Sequence, residues 1–264
     1  MNLSRPPLLR RARPLLGTLV EVGVAADAQL TLAGAAQAVD DAFAALARVH
    51  AALTRFDAGS DIARFNAAAA GAVLAVGADA QAVLQASAQL QALSDGAFDI
   101  TLGSGPADWQ LCGALLHKRS GGVRIDLGGI GKGHAVDAAV QALQTAGCAA
   151  GWVNAGGDLR SFGGSGLRLQ LRDEASGGVR PWGQLQDGAC ATSHYAPGSR
   201  SALAQRAPSG QTGPQRPSAR GPLHLSVLAP SCLWADALTK VAAQHPQQLQ
   251  HPALQALGAQ AVWH

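Results

Sequence analysis

Residues 123–147 read VRIDLGGIGKGHAVDAAVQALQTAG, and the fold turns on how this stretch is built. Val123 to Asp126 predicts a strand, LGGIGKG a loop without side-chain bulk, and Val136, Val140 and Leu143 a helix that stops at Gly147. The next segment, WVNAGGDLRSFGG (152–164), does not repeat that unit. It predicts a strand broken by Gly156-Gly157, followed by the strand-like LRLQLRD from Leu167 to Asp173. Strands and helices alternate irregularly, which predicts an α+β protein rather than a doubly wound sheet.

Upstream, Leu16 to Val24 predicts a strand. From Ala35 to Phe56 the apolar residues Val39, Phe43, Leu46, Val49 and Leu53 share one face of a helix. After a turn at 57–59, Ser60 is placed to cap a short helix reaching about Asn66, and a second long helix is expected over Asp79–Leu93. Downstream, residues 197–222 are Ser, Gly, Pro, Gln and Arg with few large apolar side chains, the composition of a surface loop. Beyond them a strand is expected at 224–228, helices at 231–244 and 246–257, and a short last strand.

The whole chain has 264 residues, 48% hydrophobic and 14% charged, enough to bury a core and too apolar for general disorder. Twenty Lys and Arg face 17 Asp and Glu, a net charge of +3 that gives no reason to expect nucleic acid. No apolar run reaches the roughly 20 residues of a membrane span, and Arg10, Arg11, Arg13 and Pro14 interrupt what would otherwise resemble a signal peptide. Cys112, Cys148, Cys190 and Cys232 lie far apart without a CxxC pair, so reduced thiols and a cytoplasmic location are expected.

Four places could carry chemistry. The loop at 126–132 lets backbone N–H groups approach a ligand at a helix N-terminus, with Lys132 adding a full positive charge suited to phosphate. A tight turn with a solvated lysine would look the same, and the spacing is neither a Walker A loop nor GxGxxG. Asn154-Ala-Gly-Gly-Asp158 is a second glycine pair flanked by polar residues, also readable as a β-bulge. Phe98-Asp99 sets a carboxylate beside a ring that could pack on a heterocycle. Asp236, Thr239 and Lys240 fall within one helical turn, readable as oxygen ligands for a hard cation or as an Asp–Lys ion pair.

LGT at 16–18, SDIARFN at 60–66, GAFDIT at 96–101, DLGGIGKGHAVD at 126–137, NAGGD at 154–158, ATS at 191–193 and ADALTK at 235–240 follow one another in an order that resembles the ApbE family, the FAD:protein FMN transferases. The resemblance runs from about Leu16 to Lys240. It sets 1–15 apart as an N-terminal extension and makes 16–264 a single domain. It implies a T-fold-like α+β architecture, with mixed or antiparallel sheets and packed helices. It further implies that FAD and Mg2+ are bound and that FMN is attached to a Thr or Ser of a partner flavoprotein, with release of AMP. Carried over, Phe56 matches an aromatic that contacts the flavin, Ala97, Phe98 and Asp99 a flavin-binding turn, and Asp126 and Lys132 residues beside FAD. Gly129 matches a main-chain carbonyl ligand of the metal, and Asp236 with Thr239 its side-chain ligands.

Three departures stand out. Leu16 replaces the family's usual Met, and Lys240 stands where the family often has Thr, four residues after the metal-binding Asp. The stretch SALAQRAPSGQTGPQRP (201–217) keeps only Thr212-Gly213 of the family's HxxDPxTG, whose His would activate the acceptor hydroxyl. His194, directly after Ala191-Thr192-Ser193, is the nearest substitute base. The alternatives are a flavin-binding protein without catalysis and an FAD pyrophosphatase in which water replaces the acceptor.

Overall fold

A computed structural model describes residues 7–26, 30–164, 166–172, 177–195, 224–244 and 251–264. The 197–222 loop and the first residues of the helix expected from 246 lie outside this set. The framework is a seven-stranded antiparallel sheet in the order β1-β2-β6-β7-β10-β11-β12. Its strands are β1 (Pro7–Leu15), β2 (Thr18–Ala25), β6 (Gly151–Ala155), β7 (Asp158–Phe162), β10 (Gly188–His194), β11 (His224–Ala229) and β12 (Gln260–Trp263).

Residues 7–15, within the segment set apart as an extension, form the edge strand and pair with β2. The connection is a two-residue turn at Leu16 and Gly17, both with positive φ (56° and 72°). That geometry matches the twist of a hairpin, and glycine adopts it without strain. Gly156-Gly157 makes the corresponding turn between β6 and β7, with φ of 65° and 106°, so the broken strand of the sequence is a hairpin.

One face of the sheet is covered by helices α1 (Leu32–Leu53), α4 (Gly131–Thr145) and α5 (Cys232–Gln244). The apolar stripe read in α1 is buried there, and Thr31 caps the helix by accepting from the Gly34 N–H at 3.1 Å. Ser60 caps α2 (Asp61–Ala67) as expected, accepting from the Ala63 N–H at 3.0 Å. Helix α3 (Ala78–Leu93) packs against α1, and α6 (Pro252–Ala256) precedes the last strand.

The opposite face carries a smaller core of Trp152, Leu159, Leu167, Leu169, Leu185 and Cys190 under the hairpin of β8 (Leu167–Arg172) and β9 (Val179–Leu185). A third, three-stranded sheet joins β3 (Val73–Ala75), β5 (Leu115–Lys118) and β4 (Trp109–Cys112). The architecture is thus α+β, with antiparallel sheets and packed helices.

One expected strand is absent. Residues 123–126 take no regular secondary structure, with Val123 and Ile125 buried, and no strand among the described residues pairs with them. Asn66 takes the place of a neighbour: its amide donates to the Ile125 carbonyl at 2.9 Å and accepts from the Ile125 N–H at 2.7 Å. One side chain meets the same backbone requirement that a strand would. All four cysteines are free thiols, three of them buried. No helix among the described residues is long and apolar enough to cross a membrane.

Candidate functional site

Apart from His194, the residues singled out in sequence come together because four segments are tied to one another. Asp126 donates its N–H to the Ile100 carbonyl at 2.8 Å, which joins the glycine loop to the 97–101 turn. The Gln244 amide at the end of α5 donates to the Ala97 carbonyl. The Arg55 guanidinium pairs with the Asp126 carboxylate at 3.1 Å and lies 4.2 Å from the centre of the Phe56 ring. Phe56, 81% exposed, is thereby held beside the loop with its other surface open to a ligand.

The 97–101 turn departs from its sequence reading. The Phe98 ring is 5% exposed and belongs to the main core, so it offers no face for a heterocycle. Asp99 accepts from the Thr101 N–H (2.8 Å), the Thr101 hydroxyl (2.7 Å) and the Gly103 N–H (2.8 Å). Its carboxylate is engaged in shaping the turn. Asp126 does the same for the glycine loop, accepting from the Gly128 N–H at 2.8 Å.

Beneath the loop lies a group of four charges. Lys132, at the start of α4, pairs with Asp158 at the start of β7, and Lys240 on α5 reaches Asp236 Oδ1 at 2.6 Å. The Asp158 and Asp236 side chains are 4% and 0% accessible, whereas those of Lys132 and Lys240 are 36% and 23% accessible. The carboxylates are buried, and the lysine side chains are the part of the group that reaches solvent. Burial alone would lower the Lys132 pKa, but the carboxylates of Asp236 and Asp158 outweigh it and keep the lysine charged. Burial would likewise raise Asp236, yet Lys132 and Lys240 hold it below the usual carboxylate range. Burial and the neighbouring Asp236 push Asp158 up to about 6, and burial pushes the Cys232 thiol well up. Asp158 sits in the glycine-pair motif, but nothing in its spacing foretold its pairing with Lys132. Arg55 carried no sequence signal beyond adjacency to Phe56.

The proposed metal ligands meet a different outcome. Gly129 does come against α5: a Cβ on it would lie 3.3 Å from Lys240 Cε. Asp236, however, has both oxygens engaged, Oδ1 by Lys240 and Oδ2 by the Gly133 N–H at 3.2 Å. The Thr239 hydroxyl donates to the Asp236 carbonyl at 2.7 Å and meets the Ser193 hydroxyl at 3.0 Å. With an ammonium already on the carboxylate, this donor set does not fit a divalent cation.

His194 is on the wrong side of the sheet. Side chains alternate along a strand, and Ser193 faces the helices through Thr239, so its neighbour points the other way. His194 stacks on His224 of β11, ring centres 4.6 Å apart, on the face that carries the smaller core. It cannot reach Asp236 or Lys132 through the sheet. His134, the other histidine near the loop, lies 3.1 Å from Asp79, which also receives Arg48 at 2.9 Å.

The ApbE family model matches residues 16–115 and 105–262. Among solved structures, the ApbE protein of Thermotoga maritima is 21% identical over 97% of this chain and 93% of its own, with a TM-score of 0.77. The flavinyl transferase ApbE of Pseudomonas stutzeri is 22% identical over 96% and 89%, with a TM-score of 0.74. The flavin transferase ApbE of Vibrio cholerae is 18% identical over 97% and 92%, also at 0.74. No curated protein matches the chain.

Proposed function

Because the chain belongs to the ApbE family, we propose that it is a flavin transferase that takes FMN from FAD and attaches it to a Thr or Ser hydroxyl of a partner protein. In the reaction the hydroxyl oxygen attacks the FMN phosphorus, the pyrophosphate P–O bond breaks, AMP leaves and the hydroxyl proton is released. Phosphoryl transfer of this kind depends on positioning and on neutralising charge more than on covalent help.

The observation that carries the reading is the solvent-reaching part of the charge group. Lys132, at the N-terminus of α4, and Lys240, packed against Gly129 of the glycine loop, have partly accessible side chains while their counter-ions stay buried. That arrangement suits a pyrophosphate. Phe56 would stack on the flavin or adenine ring, and Arg55 and Asp126 would hold it in place. Ala97, Phe98 and Asp99 would serve through the shape of their turn: Phe98 anchors it in the core and Asp99 ties its backbone.

Incubation with FAD and candidate Thr- or Ser-bearing acceptors, with and without magnesium, tests the proposal. AMP release together with an FMN-sized mass gain on the acceptor is the expected result. AMP with free FMN would mean that water is the acceptor, and intact bound FAD would mean a binding protein.

A further inference from the structure

We propose that Lys240 is a built-in cation: its ammonium holds the position between Gly129 and Asp236 that the family resemblance gives to a divalent ion, and the site grips a dinucleotide pyrophosphate without metal. The choice of ligand rests on the flavin reading above; the identity of the cation does not.

Three observations carry the inference. First, Lys240 Nζ lies 2.6 Å from Asp236 Oδ1 and 3.0 Å from the Asp236 carbonyl, and its stem crosses Gly129, where a side chain would crowd it at 3.3 Å. The same carboxylate that would hold a metal holds the ammonium, and the same loop packs on the stem that carries it. Second, charge is balanced within the group. Asp158 and Asp236 carry two negative charges and Lys132 and Lys240 two positive ones, so a divalent ion would add uncompensated charge beside two ammoniums. Third, the Asp158 and Asp236 side chains are almost inaccessible, whereas the Lys132 and Lys240 side chains are partly accessible. A cation approaching from solvent meets like charge first, while a phosphate meets two cations that donate hydrogen bonds.

Titration of the full chain with Mn2+, read by the loss of the free-ion paramagnetic resonance signal, tests the cation directly. Wild type should take up no stoichiometric Mn2+, Lys240→Thr should gain one equivalent, and Lys240→Thr with Asp236→Asn should lose it again. Flavin fluorescence in EDTA supplies the second reading. Wild type should bind FAD equally with EDTA or Mg2+, whereas Lys240→Thr should bind about tenfold more weakly in EDTA and recover with Mg2+. One equivalent of Mn2+ on wild type that Asp236→Asn abolishes would overturn the proposal, as would a Lys240→Thr protein that takes up none. If circular dichroism shows that Lys240→Thr does not fold, Lys240→Met, which keeps the stem, serves for the EDTA measurement, and the wild-type titration decides the cation alone. Failure of FAD to bind under any condition would refute the flavin reading and leave the Mn2+ result to decide Lys240.

Discussion

Gly133 has no room for a side chain. A Cβ there would lie 2.2 Å from the Cys232 carbonyl oxygen and 2.8 Å from Leu233 Cα, backbone atoms that cannot swing aside. The close crossing of α4 and α5 at this point is also what lets the Gly133 N–H reach Asp236. Gly133→Ala should therefore cost about 3 kcal/mol or more, above the usual overpacking range because backbone must move. A denaturation midpoint unchanged from wild type would refute this. Asp79 offers a pH-dependent case. Burial would raise its pKa, but hydrogen bonds from Arg48 and His134 outweigh that and hold it below 3.8. A lowered folded-state pKa stabilises the protein above the unfolded pKa, and that stability is lost as pH falls through the folded value. Asp79→Asn should thus be less stable than wild type at pH 7 by about 1 kcal/mol, since Arg48 is well exposed. The gap should begin to narrow below about pH 4 and close once pH has fallen through the folded value; melting curves from pH 7 down to pH 2 check it.

At the scale of elements, α5 is positioned by a residue of another helix. Asp137 on α4 accepts from the Cys232 N–H at 2.9 Å and the Leu233 N–H at 2.8 Å, and its Oδ1 also receives Arg160 of β7 at 2.6 Å. It supplies the acceptors that the first turn of α5 lacks within its own helix, and places negative charge where the helix dipole favours it. Asp137→Ala should cost about 1–3 kcal/mol, the penalty for leaving buried donors unsatisfied. It should also weaken FAD binding, because α5 carries Lys240. If stability falls and FAD affinity does not, α5 does not contribute to FAD binding. The 123–126 segment makes a parallel case. Asn66→Ala removes both of its side-chain bonds to Ile125 and should cost about 2 kcal/mol by chemical denaturation.

For the whole molecule, the seven-stranded sheet is bounded by β1, which carries Arg11 and Arg13 to Asp40 on α1 and sets the Arg13 guanidinium 4.5 Å from the Phe43 ring centre. Deleting residues 1–15 would leave β2 as an unpaired edge alongside that helix. The truncated chain should melt lower and self-associate, seen as a shift to larger species in size-exclusion chromatography. A monodisperse truncation with the wild-type melting temperature would make β1 dispensable.

Hydrophobic spacing located α1 and, with the stop at Gly147, α4, because a stripe such as Val39, Phe43, Leu46, Val49 and Leu53 has one energetically sensible place to go. Local chemistry was equally legible where it is self-contained, as in Ser60 capping its own helix, whereas Gly156-Gly157, read as a break within one strand, is a hairpin turn between two. The strands β9 and β3 to β5 were not legible, since they are short or interrupted by Pro181 and Gly183 and gain their identity from partners far along the chain. The order of motifs named candidate residues but not their pairings. Whether Asp236 holds a metal or an ammonium, whether Phe98 is a ring for a ligand or a core anchor, and which face His194 takes are decided by contacts across the fold. Lys132 with Asp158 spans 26 residues and Gly133 with Asp236 spans 103. A buried charge is tolerable only beside its counter-charge, and only the tertiary structure says which one that is.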